Sequence, residues 1–212
     1  MKEIKIPLDV NLSPSKNAEA YFKRYNKKKR TLSALIPQKQ ELEKECDYIA
    51  SLKAQCEIAD GLLDFLIVED ELKKIGFIKG VKEKNKKPQK TKFTTYEFDG
   101  YKIKVGKNNL QNDELTFSAL PQSLWLHVKD YHSSHVIIEY DGRPFSDEVI
   151  LTASEICAYY SEVRGGEKVQ VDYALKKHVK KPSRSNPGFV NYSGHKTLIV
   201  NPNKHEKLIK KQ

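Results

Sequence analysis

Within the eight residues Gly106-Lys107-Asn108-Asn109-Leu110-Gln111-Asn112-Asp113 stand a glycine, a lysine and three asparagines, at a point where a strand gives way to a helix. Such a segment can offer backbone N–H groups, side-chain amides and one cation to a phosphate or a sugar hydroxyl. The same residues also suit a capped turn with asparagines in left-handed conformations, and spacing alone does not choose between the two.

A second group follows at Leu124-Trp125-Leu126-His127-Val128-Lys129-Asp130 and Tyr131-His132-Ser133-Ser134-His135. Strand alternation places Trp125, His127 and Lys129 on one face, where an aromatic plane beside a donor and a cation can stack a base and hold its phosphate. The alternative is that Trp125 is core. His132 and His135, with His127, also have the residue types of a metal site, but they fall in a turn with no Glu nearby. Ser133 with Asp130 and a histidine suggests a hydrolase, yet no G-x-S-x-G elbow is present. No catalytic residue, metal or cofactor is therefore expected, and the chain is not read as an enzyme.

The charge points in the same direction. Thirty-eight Lys and Arg against 28 Asp and Glu give a net charge of +10 and a pI near 9.3, which favours a polyanionic partner. Residues 1–77 carry 14 basic and 13 acidic side chains, whereas residues 78–212 carry 24 and 15, so the excess belongs to the second part. One basic stretch is Lys23, Arg24, Lys27, Lys28, Lys29 and Arg30. The other is Lys176, Lys177, Lys180, Lys181 and Arg184, with Tyr173 nearby and a Ser-Arg-Ser-Asn-Pro-Gly loop able to approach a phosphodiester.

These residues need elements to position them. Ser13 and Pro14 form a helix start, and stepping by three and four from Ala18 through Tyr21, Tyr25, Leu32, Leu35, Leu42, Cys46, Ile49 and Cys56 traces a coiled-coil seam. Lys28, Lys39 and Lys53 interrupt the seam, and Pro37 should kink or loosen one turn. A shorter helix from about Leu62 to Ile75, stopped by Gly76, covers at most the distal third, so the seam lacks a partner. We expect a coiled-coil arm over 1–78, a lysine-rich linker over 79–92, a compact domain over 93–203 and a basic tail over 204–212. Within the domain, Asp99-Gly100 marks a hairpin between 93–98 and 101–105. Strands follow at 124–128 and 135–140, with extended segments at 168–180 and 189–200. Helical spacing runs between Asp147 and Arg164, closed by Gly165-Gly166. The fold class is α+β, a helical arm followed by a mostly antiparallel sheet.

Three cysteines without C-x-x-C spacing argue against a disulfide framework. There is no apolar run of membrane-spanning length and no signal-peptide core after Met1, so no membrane partner and a cytoplasmic location are expected.

Taken in order, several motifs resemble the NFACT family of ribosome-quality-control proteins. Residues 6–27 look like the start of its second coiled-coil helix. Residues 105–115, 125–138, 158–164, 169–181 and 186–188 look like its C-terminal RNA-binding domain, called NFACT-R. The resemblance implies a protein that binds large ribosomal subunits obstructed by peptidyl-tRNA, accepts tRNA and supports alanine tailing of stalled chains, the ribosome itself forming the bond. It implies large-subunit RNA and tRNA as partners, with ribosomal proteins met through the coiled-coil arm. On this reading Lys104, Lys107, Asn108, Asn109, Asn112, Trp125, His127, Lys129, His135, Arg164, Tyr173, Lys176, Lys177, Lys180, Lys181 and Arg184 contact RNA. The family's bacterial branch has also carried a fibronectin-binding label, so an adhesin is the alternative. One departure is local: Tyr131-His132-Ser133-Ser134-His135 replaces the family's usual Ile-Pro-Gly-Ser-His, which puts the loop's geometry in question. The other is that the family's N-terminal tRNA-reading domain, helix-hairpin-helix module and first coiled-coil arm are expected to be missing, leaving the isolated fragment to form a homodimer.

Overall fold

The protein is described from a computed structural model over residues 4–59, 61–79, 93–183 and 185–209; most of the lysine-rich linker and Arg184 lie outside the described residues. The chain divides into two compact units, Met1–Asp47 and Tyr48–Gln212. The second unit therefore begins inside the long helix rather than after the linker.

Helix α1 spans Pro14–Ile58 and continues through Pro37. Its start is set by side chains. Ser13 Oγ accepts the Lys16 N–H, and the Asn17 amide accepts from the Asp9 N–H and donates to the Asp9 and Leu12 carbonyls, folding the preceding segment back on the first turns. Within the first unit the seam faces water: Leu32 and Leu42 are 61% and 60% exposed.

In the second unit, the last turns of α1 pack against α2 (Leu62–Lys74) through Tyr48, Leu52 and Val68. Six strands follow in the order β1 (Thr94–Phe98), β2 (Tyr101–Val105), β4 (Val136–Ile138), β3 (Leu124–Val128), β5 (Val169–Leu175), β8 (Lys196–Val200), every pairing antiparallel. The Asp99-Gly100 turn works as expected, both residues taking positive φ (48° and 76°), the twist that a two-residue hairpin requires. A short β6–β7 pair (Val179–Lys180 with Asn191–Tyr192) lies apart from the main sheet.

Both faces of the sheet are covered. On one, α4 (Asp147–Tyr159) buries Val149, Ala153, Ile156 and Cys157 against Ile103, Leu126, Val128, Ile138 and Val171. On the other, α3 (Asn109–Ser118), β6 and β7 close over Trp125 and Ile137. Helix α4 stops at Tyr159, short of the expected Arg164, because Ser161 leaves the helix to bridge Ser133 and its hydroxyl turns back to the Ala158 carbonyl. The described part of the expected tail is docked: Leu208 and Ile209 pack on the core, and Ile209 bridges Tyr96 on the edge strand β1.

Candidate nucleic-acid interface

The asparagine-rich segment opens α3, with the Asn108 side chain capping the helix by accepting the Gln111 N–H at 2.6 Å. The free N–H groups of the first turn are a ready anion site. The acceptor that takes them is the protein's own. Glu71 of α2, wholly buried, accepts the Asn109 N–H at 3.0 Å on Oε2 and the Tyr48 hydroxyl at 2.6 Å on Oε1. Burial pushes the Glu71 carboxyl up, and burial followed by the hydrogen bond to Glu71 pushes the Tyr48 phenol up. Lys107 is likewise engaged, its Nζ reaching both Asp64 oxygens at 2.8 and 2.9 Å.

Buried Asn109 donates to Ser51 Oγ at 2.9 Å, and buried Asn112 accepts the His135 backbone N–H at 3.0 Å. The expectation that Lys107, Asn108, Asn109 and Asn112 present a phosphate site is corrected here. They join α1, α2 and α3 to the sheet. Two glycines permit that closeness. A Cβ on Gly106 would lie 2.5 Å from Asn112 Oδ1, and one on Gly188, at φ 82°, would strike Asn109 Oδ1.

Trp125 has no exposed surface and does not offer a stacking plane to solvent, so the core alternative is the one observed. It shares its sheet face with its cross-strand neighbours Ile137 and Ala174, and with Lys104 on the far side of Ile137. Its ring lies parallel to that of His127, 5.6 Å away, edge-on to His135 at 5.3 Å, and tilted against Tyr192 at 4.8 Å. Together these rings wall a cavity of about 150 Å³ that Ser51, Asn109, Asn112, His132, Ser133 and the 188–190 segment complete. Asp172, buried beneath, accepts from the Thr197 and Tyr192 hydroxyls at 2.6 and 2.8 Å and fixes Tyr192 in place.

Burial lowers the pKa of His127 to about 4 and that of His135 well below its ordinary value, the latter helped by the neighbouring His127. Both rings are neutral at physiological pH. A histidine depressed in the folded state contributes stability that is present above its unfolded pKa of about 6.5 and lost as pH falls toward the folded value. The urea midpoint of the folded chain should therefore fall between about pH 6.5 and 4, and His135→Phe, which removes one of the two groups, should flatten that fall. A fall as steep in His135→Phe as in the wild type would show that the His135 ring titrates normally.

Among the remaining expected contacts, several cations are committed elsewhere. Lys104 pairs with Glu139 at 2.5 Å, Lys181 pairs with Asp113 at 2.6 Å, and Arg164 Nη1 closes the end of α1 on the Ile58 carbonyl at 3.1 Å. Tyr173 packs on the α4 side. Lys177 and Lys180 are exposed, and half-buried Lys176 sits 5.7 Å over the ring of Phe117 at the end of α3. Lys129 is half-buried just past the end of β3. Phe117 was not singled out by the sequence. Its signal was an aromatic on the polar side of a short helix, and only the fold brings it beside Lys176.

The chain has relatives among known proteins. Residues 1–91 match the profile of the NFACT N-terminal and middle domains, and residues 90–194 match the NFACT protein RNA binding domain. The chain belongs to the NFACT family. It is 42% identical over 203 residues to the Rqc2 homolog RqcH of Streptococcus suis, covering 95% of this chain and 36% of that protein. To the Rqc2 homolog RqcH of Bacillus subtilis it is 37% identical over 204 residues, covering 94% and 35%. The chain thus spans about a third of the length of these relatives. A solved structure of the C-terminal part of the fibronectin/fibrinogen-binding protein from Streptococcus suis superposes with a TM-score of 0.83 at 37% identity, covering 94% of this chain and 81% of that one.

The loop where this chain departs from the family pattern is closed without proline or glycine. Ser133 Oγ accepts the Val128 N–H at 3.0 Å, the Ser134 N–H reaches the Tyr160 carbonyl at 2.8 Å, and the positive φ needed to leave β3 falls on Asp130 (60°). Among the described residues no His, Cys, Asp and Glu cluster has the makings of a metal site, and no helix is long and apolar enough to cross a membrane.

Proposed function

We propose that this chain is the RNA- and ribosome-binding part of a ribosome-quality-control factor. The observation that carries the reading is the match of residues 90–194 to the NFACT RNA binding domain, supported by a net charge of +10 concentrated after residue 77. In this role the Lys176, Lys177 and Lys180 surface neutralises phosphates and Phe117 offers a plane to a base. The wider activity is that of the whole factor: engaging large subunits obstructed by peptidyl-tRNA, accepting tRNA, and supporting alanine tailing in the cytoplasm. The chain contributes binding and no covalent chemistry. Ribosomal proteins meet the α1 arm.

Filter binding of the chain to a single-stranded oligoribonucleotide between 50 and 200 mM salt tests this. If about four phosphates are neutralised, affinity should fall about fiftyfold over that range, and Lys177→Ala with Lys180→Ala should lower the slope. Salt-independent retention, or retention of fibronectin in place of RNA, would refute the reading.

The arm has its own expected behaviour. Leu32, Leu35 and Leu42 line one exposed apolar groove with Ile36 and Cys46, on the seam by which a coiled-coil helix meets a partner. The isolated chain should sediment as a dimer at micromolar concentration, and Leu35→Lys with Leu42→Lys should return it to monomer without changing RNA affinity. A monomeric wild type refutes this pairing.

A further inference from the structure

The cavity walled by Trp125, His127, His135 and Tyr192 has no role in the reading above, and three of its features specify what it can hold. The first is size. At about 150 Å³ it is smaller than the roughly 300–1,000 Å³ of pockets that take a drug-sized ligand, yet it exceeds the roughly 30 Å³ share of one water several times over. A single planar ring with its substituents fits, and a sugar and phosphate must stay outside.

The second is charge. No Lys, Arg, Asp or Glu lines it, and burial keeps His127 and His135 neutral, so it is unsuited to a phosphate, which seeks cations or a helix N-terminus. The N-terminus nearest to it, that of α3, already holds Glu71.

The third is an unmet hydrogen bond. Trp125 is part of the wall, and its Nε1–H is buried with no acceptor among the described residues. Buried donors are nearly always paired, and the indole can only donate. Asn112, whose Oδ1 accepts the His135 N–H, lines the same cavity. A ring carbonyl or ring nitrogen is the acceptor this set lacks, and flat aromatic walls at His127 and Tyr192 are surfaces on which an aromatic ring packs.

We propose that this cavity receives one unstacked nucleobase of the bound RNA, while the Lys176, Lys177 and Lys180 surface holds the backbone that leads to it. The inference rests on the RNA-binding reading and adds the site at which a base, rather than a phosphate, is sensed.

Trp125 is the single tryptophan of the chain, so the wild-type protein reports occupancy without labelling. A hexameric single-stranded oligoribonucleotide is titrated while its binding is followed independently by fluorescence anisotropy of a 5′ dye. Tryptophan emission should change by at least about a fifth with the same midpoint as the anisotropy. An oligomer with abasic sugars at every position should bind through its phosphates and leave the emission unchanged, with affinity lower by about tenfold. Free nucleosides at millimolar concentration should reproduce the emission change weakly, and inorganic phosphate should not. Val190→Phe, which narrows the cavity, should reduce affinity for the hexamer to that for the abasic oligomer.

Hexamer binding with no emission change would overturn the base-pocket inference and leave RNA binding standing. So would equal affinity for the abasic oligomer, or an emission change produced by phosphate. Nucleosides acting at micromolar concentration with no preference for the hexamer would also overturn it, assigning the cavity to a free nucleoside. Absence of any RNA binding by anisotropy would overturn both.

Discussion

Truncating Trp125 to alanine should destabilise the folded chain by about 3–5 kcal/mol, the range for removing a large buried aromatic. The residue has no exposed surface and touches elements from three parts of the second unit: Ile137 on β4, Leu115 on α3, and Val179 and Tyr192 on β6 and β7. Those last elements form a two-residue ladder separate from the main sheet, tied down otherwise at single points such as Tyr192 on Asp172 and Lys181 on Asp113. The loss should therefore appear first as exposure of the 179–192 region and only then as global unfolding. Urea denaturation monitored by far-ultraviolet circular dichroism gives the magnitude, and hydrogen exchange of the 179–192 amides gives the order. A change below about 1 kcal/mol, with RNA affinity reduced instead, would show that the indole swings out to meet its ligand and that the buried position is one of two.

The sequence carried the elements better than their wiring. Alternation and the Asp99-Gly100 pair sufficed for the β1–β2 hairpin, because a two-residue turn is local chemistry. Ser13, Pro14 and the heptad spacing sufficed for α1 for the same reason. Trp125 was ambiguous for a physical cause. Alternation tells which residues share a face but not whether that face is covered, and the cover here comes from residues 179–192, more than fifty positions later in the chain. The asparagine cluster is open between a phosphate site and a capped turn on similar grounds. Its types and spacing do form an acceptor site at a helix start, but the group that occupies it is the Glu71 carboxyl, 38 residues earlier in α2. Nothing local distinguishes Glu71 from its solvated neighbours Glu69 and Asp70, which pair with Lys73 and Lys74 at helical spacing. Lys107 and Lys181 show the same limit for cations: composition counts charges, while Asp64 and Asp113 decide which remain available.

Glu71 is where that hidden wiring should be costliest to cut. Glu71→Ala removes the acceptor of three donors at once, the Tyr48 hydroxyl and the Asn109 and Leu110 N–H groups. Each buried donor left unsatisfied costs about 1–3 kcal/mol, and the set as a whole should cost about 3–5 kcal/mol, the range for breaking a buried charged network. Glu71→Gln keeps the volume and one oxygen, so its cost should be nearer 1–2 kcal/mol. The pH dependence separates the two effects. Burial raises the folded carboxyl above its unfolded value of about 4.3, so its contribution is fully present below that value and declines as pH rises through the folded pKa. The wild type loses this increment on going to neutral pH and Glu71→Gln has none to lose, so the deficit of the glutamine variant should narrow as pH rises from about 4. This trend opposes that of His127 and His135, and comparing the two chains at each pH cancels the histidines. A deficit that widens with pH would mean that Glu71 is held as a carboxylate by the α3 N-terminus more strongly than burial disfavours it, and the helix dipole would then be the larger of the two forces at this junction.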